Sequence, residues 1–165
     1  MKNKSTLFLV QAAMIGAIYV VLTVAFAPIS FGEVQIRFAE ALTILPFFTP
    51  AAVPGLFVGC LIANILGGAI LPDIIFGSLA TLIGAVVTYL LRKQSKYLAP
   101  VPPIVANMLI VPFVLRYGYG VNLPIPLMML TVGAGEVISA GVIGLILLNV
   151  LYKNRQKIFG DTLAE

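Results

Sequence analysis

Residues 32–40 read Gly-Glu-Val-Gln-Ile-Arg-Phe-Ala-Glu, which places Glu33, Arg37 and Glu40 within eight residues of an otherwise apolar stretch. Wound as a helix, spacings of four and three would set all three on one face, where the arginine can meet either carboxylate. Ions in or beside a bilayer are costly and are usually kept for a site. Glu136 stands about twelve residues into the last apolar run, roughly 18 Å along a helix at ~1.5 Å per residue, hence near mid-membrane. It should face the bundle interior and meet Arg37, Arg116 or a ligand donor, or else be protonated. Asn64 and Asn107 fall inside two further apolar runs, where amides either glue helices together or line a selective pocket. Asp73 directly follows Pro72, a place where a carboxylate caps a helix and favours its dipole. Tyr117 and Tyr119 suit interfacial anchors, and the ring of Tyr117, folded inward, could stack on a flat ligand.

Other chemistries are excluded by what is missing. The sequence has no histidine and one cysteine, Cys60, so neither a hydrolytic triad nor a zinc or disulfide framework can be built. It has no Gly-x-x-x-x-Gly-Lys-Ser/Thr run, so energy from ATP must come from a partner. An enzyme is not expected, nor a cofactor or a metal.

The elements that must position these residues follow from composition. The chain is 61% hydrophobic and 10% charged, with a mean hydropathy of +1.10, against about 25% charged residues in a soluble domain. Residues 1–165 therefore read as a single integral membrane domain, all-α, in the cell membrane. Apolar runs at about 5–27, 36–49, 51–70, 73–91, 101–116 and 124–151 predict six transmembrane helices. Prolines and glycines cluster at or near their ends, while Pro46 and Pro112 should bend the short second and fifth runs. The first run is too long for a signal-peptide core and is expected to be a retained span. With an even number of spans, eight of the ten basic residues fall on one side, which predicts both termini inside. Those basic residues form short juxtamembrane groups rather than one patch, so nucleic acid is not an expected partner. Ala12, Ala13, Gly16 and Ala17 form two overlapping small-x-x-x-small pairs that would let another helix approach the first span closely.

The run Phe31-Gly-Glu-Val-Gln-Ile-Arg-Phe-Ala-Glu-Ala-Leu-Thr-Ile-Leu-Pro-Phe-Phe-Thr-Pro, continued through Pro54-Gly55-Leu56 and Asn64 to the segment 73–84, resembles the QueT-type family. Its members are substrate-binding S components of energy-coupling factor transporters. The resemblance implies a six-helix protein that captures queuosine precursors outside. It also implies delivery to a transmembrane coupling subunit driven by two ATPase subunits. In S components an Ala-x-x-x-Ala pair on the first helix contacts the coupling subunit, and Ala13 and Ala17 match that spacing.

The residues suit such a ligand. A 7-deazaguanine presents adjacent ring and exocyclic N–H donors that one carboxylate can accept together, and a carbonyl that an amide or arginine can serve. An aminomethyl substituent would want a second carboxylate. Glu40 and Glu136 are the first candidates, Glu33 and Asp73 the reserves, Asn64, Asn107 and Arg37 the donors, and Tyr117 the stacking ring. Two alternatives remain open at the level of sequence. One is an S component for another heterocyclic vitamin; the other is a non-transporting membrane scaffold, which would not need buried Glu136 with Asn64 and Asn107.

Overall fold

A computed structural model describes residues 4–30 and 36–160, and every regular element among them is helical. Helix α1 spans Lys4–Ala25 and is followed by a single turn, Ala27–Ser30. Helix α2, Phe38–Phe47, is wound as a 3₁₀ helix. Helices α3, Ala52–Leu66, and α4, Leu71–Leu91, follow. Helix α5, Val101–Phe113, widens into a π turn over Val114–Gly118. Helix α6 is one run, Ile125–Lys153, with π geometry over Val137–Ile143 in its middle.

Four helices among the described residues are long and apolar enough to cross a membrane: Lys4–Ala25, Leu71–Leu91, Lys96–Gly118 and Ile125–Lys153. The runs at 36–49 and 51–70 also form helices, but shorter ones, because Pro50 and the Gly67–Gly68 pair cut them back. The tight winding of α2 offsets its shortness. At ~2.0 Å per residue, ten 3₁₀ residues rise about 20 Å, where an α-helix would rise about 15 Å.

Helix α2 is the centre of the bundle. It packs against α1, α3, α4 and α6, and Ala39 through Pro46 are all buried. The largest buried cluster joins Ile44, Leu45 and Phe48 to Tyr19, Leu56 and Leu148. Around this axis, α1 crosses α3 at backbone contact distance. A Cβ on Gly55 would lie 2.6 Å from the Ala12 carbonyl, and one on Gly59 would lie 2.9 Å from Gly16. The two small-residue pairs of α1 therefore separate: Ala12 and Gly16 face α3, whereas Ala13 and Ala17 are exposed. Helix α4 meets α5 as closely, with Gly84 against Pro103.

The bundle has two chemically distinct ends. At one, Lys96 Nζ donates to Asn149 Oδ1 at 3.0 Å, and Lys96 and Arg155 both approach the Tyr152 ring. At the other, Arg37, Asp73 and Tyr119 meet.

Candidate functional site

An apolar bundle with so few charges should leave them at its surface, yet four are buried here: Arg37, Glu40, Asp73 and Glu136. Each is placed by a specific local device.

Asp73 and Asn64 are brought together by the turn from α3 to α4. The Ala69 amide donates to the Asn64 carbonyl at 2.9 Å and the Gly68 amide to the Ile65 carbonyl at 3.2 Å, with Gly68 at φ +73°. This pairing closes α3 with a left-handed residue that glycine adopts without steric cost. The chain then reverses within a few residues, and Asn64 Nδ2 reaches the Asp73 carbonyl at 3.4 Å. Gly77 completes the arrangement, since a Cβ there would lie 2.9 Å from Asp73 Oδ1 and 3.3 Å from Asn64 Nδ2.

Asp73 does not cap α4 with its side chain. Instead Oδ2 accepts from the Tyr119 hydroxyl at 2.9 Å and lies 3.8 Å from Arg37 Nη2. The Tyr119 hydroxyl in turn accepts from the Ile70 amide at 3.4 Å. Partial burial and the neighbouring Asp73 carboxylate hold the Tyr119 phenol above its ordinary value, so it remains a donor. Asp73 thus ties the segment entering α2 to the loop between α5 and α6.

Arg37 and Glu40 do not share a helical face, contrary to the spacing argument. Arg37 precedes α2 in an extended conformation, with φ −97° and ψ 104°. Its Nε donates to the Ser30 carbonyl at 3.2 Å, while Glu40 Oε1 accepts from the hydroxyl of Tyr19 on α1. Glu33, the third member of the expected face, lies outside the described residues.

Glu136 is buried, as its mid-helix position predicts, and Oε1 accepts from Asn107 Nδ2 on α5 at 3.0 Å. It is the last α-helical residue before the π segment of α6. There Ser139 Oγ bonds back to the Gly135 carbonyl at 2.9 Å, a contact that competes with the helical ladder. π turns of this kind re-aim side chains and recur at functional sites. Gly144 lets α6 close on α2, where a Cβ would lie 3.2 Å from Ile44. The π segment that directly follows Glu136 packs against α2, the helix that carries Glu40.

Glu40, Glu136, Asn64 and Asp73 therefore sit in one interior belt, each with one polar side-chain atom engaged and another not. Glu40 Oε2, Glu136 Oε2, Asn64 Oδ1 and Asp73 Oδ1 are buried without a hydrogen-bond partner among the described residues, as is Ser78 Oγ. Buried polar groups left this way cost free energy and call for a partner. The belt offers acceptors from the carboxylates and Asn64, and donors from Arg37 and Asn107. That is a hydrogen-bonding set for a small polar molecule. No group of three or more histidine, cysteine, aspartate or glutamate side chains that could hold a metal ion occurs among the described residues.

Tyr117 stands apart from the belt. It is 76% exposed and stacks on Phe113 at 6.5 Å, beside an apolar groove between α4 and α5. Tyr119, two residues on, is exposed as well, but its hydroxyl reaches Asp73. Spacing arguments pass over Tyr19, although a tyrosine at the middle of a span rather than at an interface is a readable signal: its hydroxyl needs a buried partner.

The chain is similar to known proteins. A family model described as QueT transporter matches residues 9–153. A curated protein of Lactococcus lactis subsp. cremoris (strain MG1363), described as "Queuosine precursor transporter QueT", is 35% identical over 85 residues, which is 50% of this chain and 50% of that one. The chain thus spans about half the length of the curated relative it matches. No solved structure matches.

Proposed function

The chain belongs to the QueT transporter family, and from that premise we propose that it is the substrate-binding subunit, the S component, of an ATP-driven energy-coupling factor importer. It is a transport protein of the cell membrane and not an enzyme. In this reading it captures a queuosine precursor, a 7-deazaguanine-type base, from outside and hands it to a coupling subunit served by two ATPase subunits.

One observation carries the reading: the belt of buried carboxylate and amide oxygens without partners, held inside an otherwise apolar helix bundle. Glu40 and Glu136 accept the ring and exocyclic N–H groups of the base, Asn107 and Arg37 serve its carbonyl, and Asn64 and Asp73 complete the rim. The same belt speaks against a scaffold, which gains nothing from unpartnered buried carboxylates.

The docking face belongs to the proposal as well. Exposed Ala13 and Ala17 border a groove of about 690 Å³ between α1 and α3, lined by Leu9, Val21, Pro54 and Val58. Small side chains over an apolar groove admit a partner helix. For topology, the reading takes all six apolar helices as crossing, α2 and α3 shielded by their longer neighbours. The end bearing Arg92, Lys96, Lys153 and Arg155 then faces the cytoplasm with both termini, and the Asp73 end faces outward.

Uptake of a labelled 7-deazaguanine base tests this. Cells carrying the chain with a complete coupling module should accumulate label, and cells lacking either the chain or the ATPase subunits should not. Accumulation that is indifferent to the chain would refute the proposal.

A further inference from the structure

On the side of the bundle that carries Asp73, an apolar groove of about 470 Å³ runs between α4 and α5, lined by Pro72, Phe76, Leu109, Phe113, Val114 and Tyr117. The π turn at the end of α5 shapes it. Gly118 lets that turn close on the start of α4, where a Cβ would lie 2.8 Å from Ile70. The exposed Tyr117 ring stacks on Phe113 at 6.5 Å, with 13° between the planes. From Leu109 to Tyr117 the groove follows about 12 Å of helix at ~1.5 Å per residue, close to the ~15 Å that one leaflet contributes to a hydrocarbon core of ~30 Å. Its tyrosine end therefore lies at headgroup level, where such rings settle. A second cleft, of about 480 Å³, shares Tyr117 with the first and is lined also by Arg116, Asn122 and residues 124–126. The half-buried Arg116 donates from Nη1 to the Val121 carbonyl and to Asn122 Oδ1, both at 3.2 Å. Both acceptors are neutral. Among the described residues Nε and Nη2 have no partner, and no carboxylate pairs with this arginine. The start of α6 lies in the same cleft and adds the positive end of its dipole.

We infer that the two clefts form one site for an anionic phospholipid of the phosphatidylglycerol type, with one acyl chain in the groove and the phosphate on Arg116. Apolar walls take hydrocarbon without selecting a lipid, so the selection comes from the charge. A guanidinium pairs with a phosphate through two parallel N–H bonds. A zwitterionic headgroup brings its own ammonium to compete for that phosphate, whereas a glycerol headgroup does not. The site is separate from the interior belt and rests on no reading of the substrate.

The chain has no tryptophan, so Phe76→Trp makes an indole in the groove the only one in the protein. Leu130→Trp gives a control outside the groove, at an exposed position as far into α6 as Phe76 is into α4. Each full-length variant is reconstituted in phosphatidylcholine bilayers, and its fluorescence is titrated with brominated phosphatidylglycerol or brominated phosphatidylcholine, whose bromines quench an indole on contact. At Phe76→Trp the anionic lipid should associate about fivefold more strongly than the zwitterionic one, the preference that one basic side chain gives near a membrane surface. At Leu130→Trp, which senses only the general attraction of a basic chain, the two lipids should differ by less than about twofold. Adding Arg116→Gln to Phe76→Trp should bring the preference down to that background. Equal preference at the two positions, or a preference that survives Arg116→Gln, would overturn the site. Absence of quenching by either lipid at Phe76→Trp, with normal quenching at Leu130→Trp, would assign the groove to another occupant and overturn it as well. Where the Arg116→Gln protein does not fold, the comparison of the two tryptophan positions decides.

Discussion

Tyr19→Phe is the perturbation that addresses the interior belt most sparingly, because it deletes one oxygen and keeps the ring that fills the core between α1 and α2. Tyr19 is fully buried, and its hydroxyl is the donor to Glu40 Oε1. Without it, neither carboxylate oxygen of Glu40 has a side-chain or backbone donor among the described residues, since Oε2 already lacks one. A hydrogen bond to a charged group contributes about 1.5–3 kcal/mol, and leaving the buried partner unsatisfied sets the loss toward the upper end. At about 2–4 °C per kcal/mol for a domain of this length, a loss of about 3 kcal/mol lowers the unfolding midpoint by roughly 6–12 °C. Thermal unfolding in detergent, followed by circular dichroism, measures this. The control is the same substitution in a Glu40→Gln background, where no charge is stranded and the loss should shrink by at least about 1 kcal/mol. A Tyr19→Phe protein that unfolds at the parental temperature, or that loses as much in the Glu40→Gln background as in the parent, would refute the coupling between α1 and the belt.

Further expectations follow from single contacts. Gly77→Ala pushes a methyl group against Asp73 Oδ1 and Asn64 Nδ2, so it should destabilise by about 1–3 kcal/mol and weaken ligand binding, both readable from unfolding with and without base. Tyr119→Phe removes a part-buried hydrogen bond to Asp73 and should cost only about 0.5–1.5 kcal/mol by the same unfolding assay. Ala13→Trp with Ala17→Trp fills the exposed groove on α1, so uptake in cells should collapse while the purified variant keeps near-parental affinity. Gly59→Leu acts on the floor of that groove, where α3 touches α1 and a Cβ already meets Gly16 at 2.9 Å, and should depress folding yield, and with it binding and uptake together.

Much of this arrangement was legible in the sequence, for physical reasons that can be named. Apolar runs bounded by proline and glycine predicted where helices begin and end, and a carboxylate in the middle of the last run had to face inward. Its partner was not legible: Arg37 or Arg116 was expected, but Asn107 on α5 donates to it while Arg116 bonds the Val121 carbonyl and Asn122. What failed was the shared face of Arg37 and Glu40: spacing implies proximity only if the helix includes both, and α2 starts after Arg37 and winds as a 3₁₀ helix. The apolar runs were legible but not the helix lengths, since Pro50 and Gly67–Gly68 leave two of the helices shorter than the four that are long enough to cross on length alone. The hydroxyl of Tyr119 rather than the ring of Tyr117 reaches the site, because Tyr119 follows the π turn and lies beside Asp73, a contact no spacing rule anticipates. The Tyr19–Glu40 contact joins residues from separate helices and becomes visible only once α2 is known to lie at the bundle's centre.

The central claim is that the isolated chain holds a polar base in its interior without any help from ATP or a partner. Calorimetric titration of the purified protein with free 7-deazaguanine bases, in detergent and without nucleotide, tests it directly. The account predicts saturable binding at one base per chain, strongly weakened by Glu136→Gln. Absence of binding by every base at high concentration, with the protein folded by circular dichroism, would contradict it.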